Sequence, residues 1–227
     1  MTRTMTDVRA AIEVRRTRLA AEPFLRSLDA SSSIDDLRAF VPHLYFYVFA
    51  FQDMLRLAHA RVTDPKLREI ARRHREEDAG HERWFAFDMA ELGTTRDVVW
   101  VFSAEHELTR DVSYELVAEL LRATDDRVRV AFPLVLEALG SVYFPRVVRL
   151  LERAGTGEKL RYFARSHQEV EENHDVFSAE GEQALNGIAF DEAVFADAMA
   201  MVDRCFAHGE RLAAHLERHR AASVGGT

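Results

Sequence analysis

Apolar residues recur at three- and four-residue spacing along most of the chain, and the rhythm breaks only at proline, glycine or short polar clusters. That grammar predicts an all-α chain of about seven helices. The first runs from Thr6 towards Asp29 with an interruption at Pro23, which cannot donate the helical hydrogen bond. Ser31-Ser32-Ser33 links it to a second helix that reaches Val62. Thr63-Asp64-Pro65 sets a capping acid before a proline at the first helical position, and Gly93 closes the far end, so a third helix fills Pro65 to Leu92. A fourth follows a Thr94-Thr95 cap to Thr124, and a fifth opens at Asp125-Asp126, bends near Pro133 and stops at Gly155. The sixth starts near Glu158 and breaks at Asn186-Gly187. The seventh covers Asp191 to Arg220 and leaves 223–227 as a flexible tail. The aromatic run Leu44 to Phe51 has strand-like composition, but it sits in a long segment without turn signals and has no second run to pair with, so it reads as core helix.

Composition narrows the classes. A chain of 227 residues that is 48% apolar can bury a large core without staples, and nothing marks a second unit beyond one domain over 1–222. Cys205 is the single cysteine, so no intramolecular disulfide forms and a reducing cytoplasm is the expected compartment. A net charge of -8 with basic residues scattered among acidic ones argues against nucleic acid as a partner. No apolar run approaches the roughly 20 residues of a membrane span, and Met1 to Ala21 lacks the apolar core of a secretory signal. A small molecule is the expected partner, with a homodimer through a helix face as a further possibility.

The candidate chemistry lies in two helices. His167, Glu171 and His174 stand at i, i+4 and i+7 in the sixth, and His74, Asp78 and His81 repeat the spacing in the third, with Glu77 as an alternative carboxylate. At 100° per residue each triplet emerges on one helix face. Imidazole nitrogen with carboxylate oxygen suits iron, manganese or zinc, and facing helices are where bundles build dinuclear carboxylate sites. Glu137, alone in the apolar stretch Phe132 to Val142, is the candidate third carboxylate because a buried acid needs a partner. Against this stands a plainer account, in which Glu76, Glu77, Asp78 and Glu82 form a solvated face pairing with Arg72, Arg73, Arg75 and Arg83.

The segment Glu77-Asp78-Ala79-Gly80-His81-Glu82-Arg83-Trp84-Phe85 with Glu91-Leu92-Gly93, then Glu137, then His167-x3-Glu171-x2-His174, resembles the haem-oxygenase-like di-iron oxidases and oxygenases, the iron-containing redox enzymes. The resemblance runs from the second helix to the sixth. It implies a haem-oxygenase-like helical bundle holding non-haem iron, as a pair of ions, with dioxygen as co-substrate and a small organic molecule oxidised. It makes Asp78 and His81 ligands from one helix, Glu137 a bridging carboxylate, and His167, Glu171 and His174 ligands from another. Where the family often carries a carboxylate this chain has His74, an extra ligand or a donor behind the ligands, and the stretch His43 to Tyr47 offers no acid. Those departures are compatible with one firm and one weaker metal position. The aromatic residues of the interior would suit an apolar substrate, although aromatics at helical spacing are also ordinary core.

Other readings differ in what they require. A ferritin-like bundle would use Asp53 and Glu137 beside Asp78-x-x-His81 and Glu171-x-x-His174, but it has no place for His167. A metal-free enzyme of the same overall fold, thiaminase-like or cofactorless, would need Cys205 as an accessible nucleophile in the first case. Haem binding needs an early axial histidine, and the first here is His43. A non-enzymatic helical binding protein predicts that the two triplets point apart. His208, His215 and His219, near Glu210 and Glu217, read as exposed residues able to hold metal only adventitiously.

Overall fold

Among the described residues seven helical regions follow the predicted order, and most are subdivided. A computed structural model describes residues 2–31, 33–157, 159–172 and 179–224. The first region is α1 (Met5–Leu19) and α2 (Pro23–Ala30), and the second is α3 (Ile34–Phe40), a 3-10 turn (Val41–Leu44) and α4 (Tyr45–Arg61). The third is α5 (Pro65–Glu77) and α6 (His81–Glu91). The fourth is a short α7 (Val98–Val101), a 3-10 turn (Ala104–His106) and α8 (Glu107–Arg122). The fifth is α9 (Asp126–Ser141) and α10 (Phe144–Arg153), the sixth α11 (Arg165–Glu172) and α12 (Ala179–Asn186), and the seventh α13 (Glu192–Val224).

Several boundaries are the expected ones for the expected reason. The Asp64 carboxylate accepts from the Lys66 and Leu67 amides at 2.9 and 3.0 Å and Pro65 takes the first turn, so α5 starts where its orphan donors are satisfied. Asp125 caps α9 through the Arg127 amide at 2.8 Å. Gly93, at φ 69°, ends α6 while the Thr94 amide reaches back to the Met89 carbonyl at 2.8 Å, so Thr94 closes this helix rather than opening the next.

Other boundaries correct the sequence reading. The third region is not one helix. Asp78 is the C-cap of α5, and Gly80 takes the left-handed φ of 97° that an L side chain rarely adopts, so α6 leaves in a new direction. The fifth region continues through Pro133 and divides later, at Val142 and Tyr143. The sixth starts at Arg165, not near residue 158, which lies outside the described residues. Leu44 and Val48 are core, but Phe49 is 45% exposed, so the aromatic run is buried on one face only. A two-residue antiparallel ladder, Arg3↔Phe190 and Thr4↔Ala189, ties the start of the chain to the segment before α13. α13 runs to Val224, past the expected start of the tail at 223, and 225–227 lie outside the described residues.

The long α13 packs along α9, α8, α1 and α3, while α4 packs on α8, α5 and α9, and α5 on α9. One connected apolar core joins them, with Phe24, Phe40, Phe85, Phe132 and Leu116 fully buried. Each such side chain contributes about 1.5–3 kcal/mol over remaining exposed, enough collectively to carry a polar interior site. Where α13 crosses α9, Gly209 lies so close to Leu139 that a Cβ would meet its Cδ2 at 2.6 Å. Among the described residues no helix is long and apolar enough to cross a membrane.

Asp126 fixes α5 against α9. Its carboxylate accepts from the Thr63 amide and hydroxyl and the Asp64 amide, each at 2.7 Å, and pairs with Arg129 at 2.6 Å. Burial opposes ionisation, but those donors outweigh it and hold the pKa at about 2. A depressed carboxylate stabilises the fold above its unfolded pKa and loses that contribution as pH falls through the folded one. Asp126→Asn is therefore expected to cost about 1–3 kcal/mol at neutral pH. It should also flatten the loss of stability between about pH 3.8 and 2, measured by urea unfolding at each pH. An acid limb identical to that of the parent chain would show that the contact contributes nothing.

Candidate metal centre

The turn between α5 and α6 places its acid inward. The His74 ring and the Asp78 carboxylate are each 2% exposed, one turn apart on α5, and face Glu137 on α9. His74 Nε2 lies 2.9 Å from Glu137 Oε1 and 3.6 Å from Asp78 Oδ2. One donor atom from each of the three residues falls within 4.8 Å of the others. The other Asp78 oxygen, Oδ1, is 3.4 Å from His81 Nδ1 at the start of α6. Gln52 of α4 donates to the Asp78 carbonyl at 2.9 Å and pins the turn that makes this arrangement possible.

His167 enters from α11. Its Nδ1 lies 2.6 Å from the Tyr162 carbonyl, which can only accept, so Nδ1 donates there and Nε2 is turned towards His81. That Nε2 is 3.3 Å from His81 Nδ1. Trp84 stacks on His81 with centroids 4.7 Å apart and meets His167 edge-on, fixing both rings. His74, Asp78, His81, Glu137 and His167 are thus brought together. The Glu171 side chain and His174 lie outside the described residues. Glu77 is half-buried. The solvated-face account holds for Glu76, which pairs with Arg72 at the surface, and fails for Asp78.

The donor set fits a divalent transition metal. Two carboxylates beside imidazoles, largely withdrawn from water, are costly unless a cation compensates them. The 3.3 Å gap between the two nitrogens of His81 and His167 matches roughly what two donors at about 2.0–2.1 Å from one tetrahedral ion would span.

Space adjoins these groups. An internal cavity of about 50 Å³ is lined by Asp78, His81, Glu137 and His167 together with Tyr47 and Phe144. An open cleft of about 450 Å³, with Arg9 and Arg16 on its wall, shares Glu137, Gly140 and Phe144 with it. An apolar cavity of about 90 Å³ shares Tyr47, Val48, Phe144 and Tyr162. Burial, then the nearby Glu137 charge, pushes the Tyr47 phenol well above its usual pKa, so it keeps its proton.

Three further expectations are settled by position. Asp53, which a ferritin-like site would need, is exposed and paired with Arg56 at 2.9 Å. Cys205 is fully buried with Sγ 3.7 Å from Met201 Sδ, and burial raises its thiol pKa, so it is no nucleophile. The expected exposure of the C-terminal histidines is wrong for His215, which is 5% exposed, and His208 is half-buried against Glu115 at 3.0 Å. The polar flanks of α13 concealed that its inner stripe carries these rings.

One residue of the site escaped the sequence reading. Asp88 is fully buried on α6 and accepts from the Arg161 and Phe163 amides at 2.7 and 2.9 Å, holding the loop whose Tyr162 carbonyl orients His167. The signal was present. Asp88 stands seven residues after His81 among apolar neighbours, the same isolation that singled out Glu137. Asp88→Asn keeps one acceptor for two amides and is expected to lower stability by about 1–3 kcal/mol. Metal affinity should fall about 10- to 100-fold, since a group behind the ligands is disturbed. Thermal unfolding and a ferrous iron titration measure the two effects. Unchanged affinity alongside the stability loss would separate Asp88 from the site.

A search of curated proteins returns no match. Among solved structures, a domain of unknown function with a haem oxygenase-like fold from Shewanella denitrificans is similar at TM-score 0.67 and 14% identity, over 99% of this chain and 97% of that one. At that identity the likeness shows the fold, which is haem-oxygenase-like. The model of a family described as iron-containing redox enzyme matches residues 38–209, a span that contains every residue of the candidate centre. The chain belongs to that iron-containing redox enzyme family.

Proposed function

We propose that this chain is a non-haem iron oxidase or oxygenase that uses dioxygen to oxidise a small organic substrate. The observation that carries the reading is the convergence of Asp78, Glu137, His81 and His167 on one small cavity, with His74 against Glu137 and Asp78 behind it and a surface cleft sharing Glu137 and Phe144 with that cavity. His74, Asp78 and Glu137 would hold one ion, and His81 with His167 a second. Asp78, with Oδ2 towards His74 and Oδ1 towards His81, would help to hold both. Glu171 and His174 belong to the same proposal through their spacing from His167.

Ferrous iron bound there would supply electrons to dioxygen. The protein's own groups do the rest. Glu137, with a side chain 19% exposed and shared between cleft and cavity, faces the incoming substrate. Tyr47 holds a phenolic proton beside it. Phe144 and Tyr162 keep water from the inner cavity and present an apolar surface to the body of a substrate.

Anaerobic loading with ferrous iron followed by desalting tests this. The parent chain is expected to retain about two irons under the two-position reading and to consume dioxygen when exposed to it. A His74→Ala, Glu137→Ala chain should lose both properties while keeping its helical circular dichroism. A folded variant with undiminished iron and oxygen uptake would overturn the assignment. Ligation requires deprotonated groups, so iron retention should fall as pH is lowered.

A further inference from the structure

A second cluster of histidines lies apart from the candidate centre, on elements that contribute nothing to it. His43 stands on the 3-10 turn before α4, His106 on the turn before α8, and His215 and His219 one turn apart on α13. The His43 ring stacks on His219 with centroids 3.4 Å apart and on His106 at 4.5 Å, and it meets His215 edge-on at 5.5 Å. His43, His106 and His215 are buried, and His219 is half-buried.

Three ring nitrogens here, His43 Nδ1, His106 Nε2 and His215 Nε2, are buried without a hydrogen-bond partner. A single orphaned ring nitrogen is unremarkable in a core. Three on separate elements, in rings whose centroids lie within 5.5 Å of that of His43, call for a common partner. Donor atoms of His43, His215 and His219 lie within 4.8 Å of one another. We propose that His43, His215 and His219, with His106 as the fourth donor, form a second metal site for a late divalent transition ion of the cobalt-to-zinc series.

Chemistry selects that class of ion. Uncharged imidazoles suit zinc, copper and nickel, whereas magnesium and calcium require oxygen donors. Burial, and then the mutual proximity of the rings, lowers the pKa of His43 to about 2, and burial is the leading cause of the fall to about 4 at His106 and His215. The rings therefore present lone pairs and no charge. Arg96, Arg110 and Arg218 stand near and oppose a cation, while Glu105 beside His219 favours one. Arg218 contacts His215 Nδ1 at 3.3 Å from an exposed position, so it can withdraw when His215 Nε2 ligates and Nδ1 takes the proton.

Full-length protein stripped with chelator and titrated with cobalt(II) tests the site, because cobalt–imidazole centres have visible ligand-field bands. A Glu137→Ala, His167→Ala chain, disabled at the candidate iron centre, is expected to retain one cobalt per chain with those bands and to release it to zinc. Adding His219→Ala, a half-buried position whose loss the fold should tolerate, is expected to abolish both signals while circular dichroism is unchanged. His219→Ala in the otherwise native chain should remove one equivalent and leave iron retention at the other centre intact. No cobalt bound by the first variant, or a full equivalent with unaltered bands after His219→Ala, would overturn the proposal.

Discussion

Carboxylates placed beside imidazoles in the interior of a helical bundle are the constraint on which this structure turns. Asp78 and His74 are almost fully withdrawn from water, Glu137 closes on them from another helix, and none of the three is there because it packs well. Without a compensating cation such groups need hydrogen bonds, as His74 and Glu137 provide each other at 2.9 Å. With one, the same atoms become ligands. The surrounding apolar core, from Phe85 to Phe132 and Leu116, is what makes that concentration of polarity tolerable.

The secondary structure serves this placement. A continuous third helix would carry His74, Asp78 and His81 on one straight face, but the turn at Gly80 lets Asp78 direct one oxygen towards each histidine. Asp126 fixes α5 to α9 at their start, and Gln52 fixes the turn from α4. The Asp88 carboxylate and the Tyr162 carbonyl act in series, one holding a loop and the other fixing the His167 ring through its Nδ1. The candidate centre therefore draws on α4, α5, α6, α9 and α11, and Phe144 lines its cavity, the apolar cavity and the cleft alike.

Much of this was legible in the residues. Caps at Asp64 and Asp125, the stop at Gly93 and the order of seven helical regions follow from local chemistry that packing did not override. Ligand candidates were legible because acids and histidines at helical spacing stand out against an apolar background. The break at Asp78 was hidden because no local signal says whether a glycine inside an amphipathic run will be tolerated or used as a turn. Asp88 was overlooked because attention fell on repeated triplets, and the buried histidines of α13 because their neighbours in sequence are polar while their neighbours in space come from the turns before α4 and α8.

Anomalous diffraction at the iron edge, from crystals loaded anaerobically with ferrous iron, tests the central claim most directly. The account predicts iron bounded by His74, Asp78 and Glu137, with a second position between His81 and His167. Iron absent from this cluster while the His74–Glu137 contact persists would contradict it, and would make the buried carboxylates a proton-sharing network instead of a metal centre.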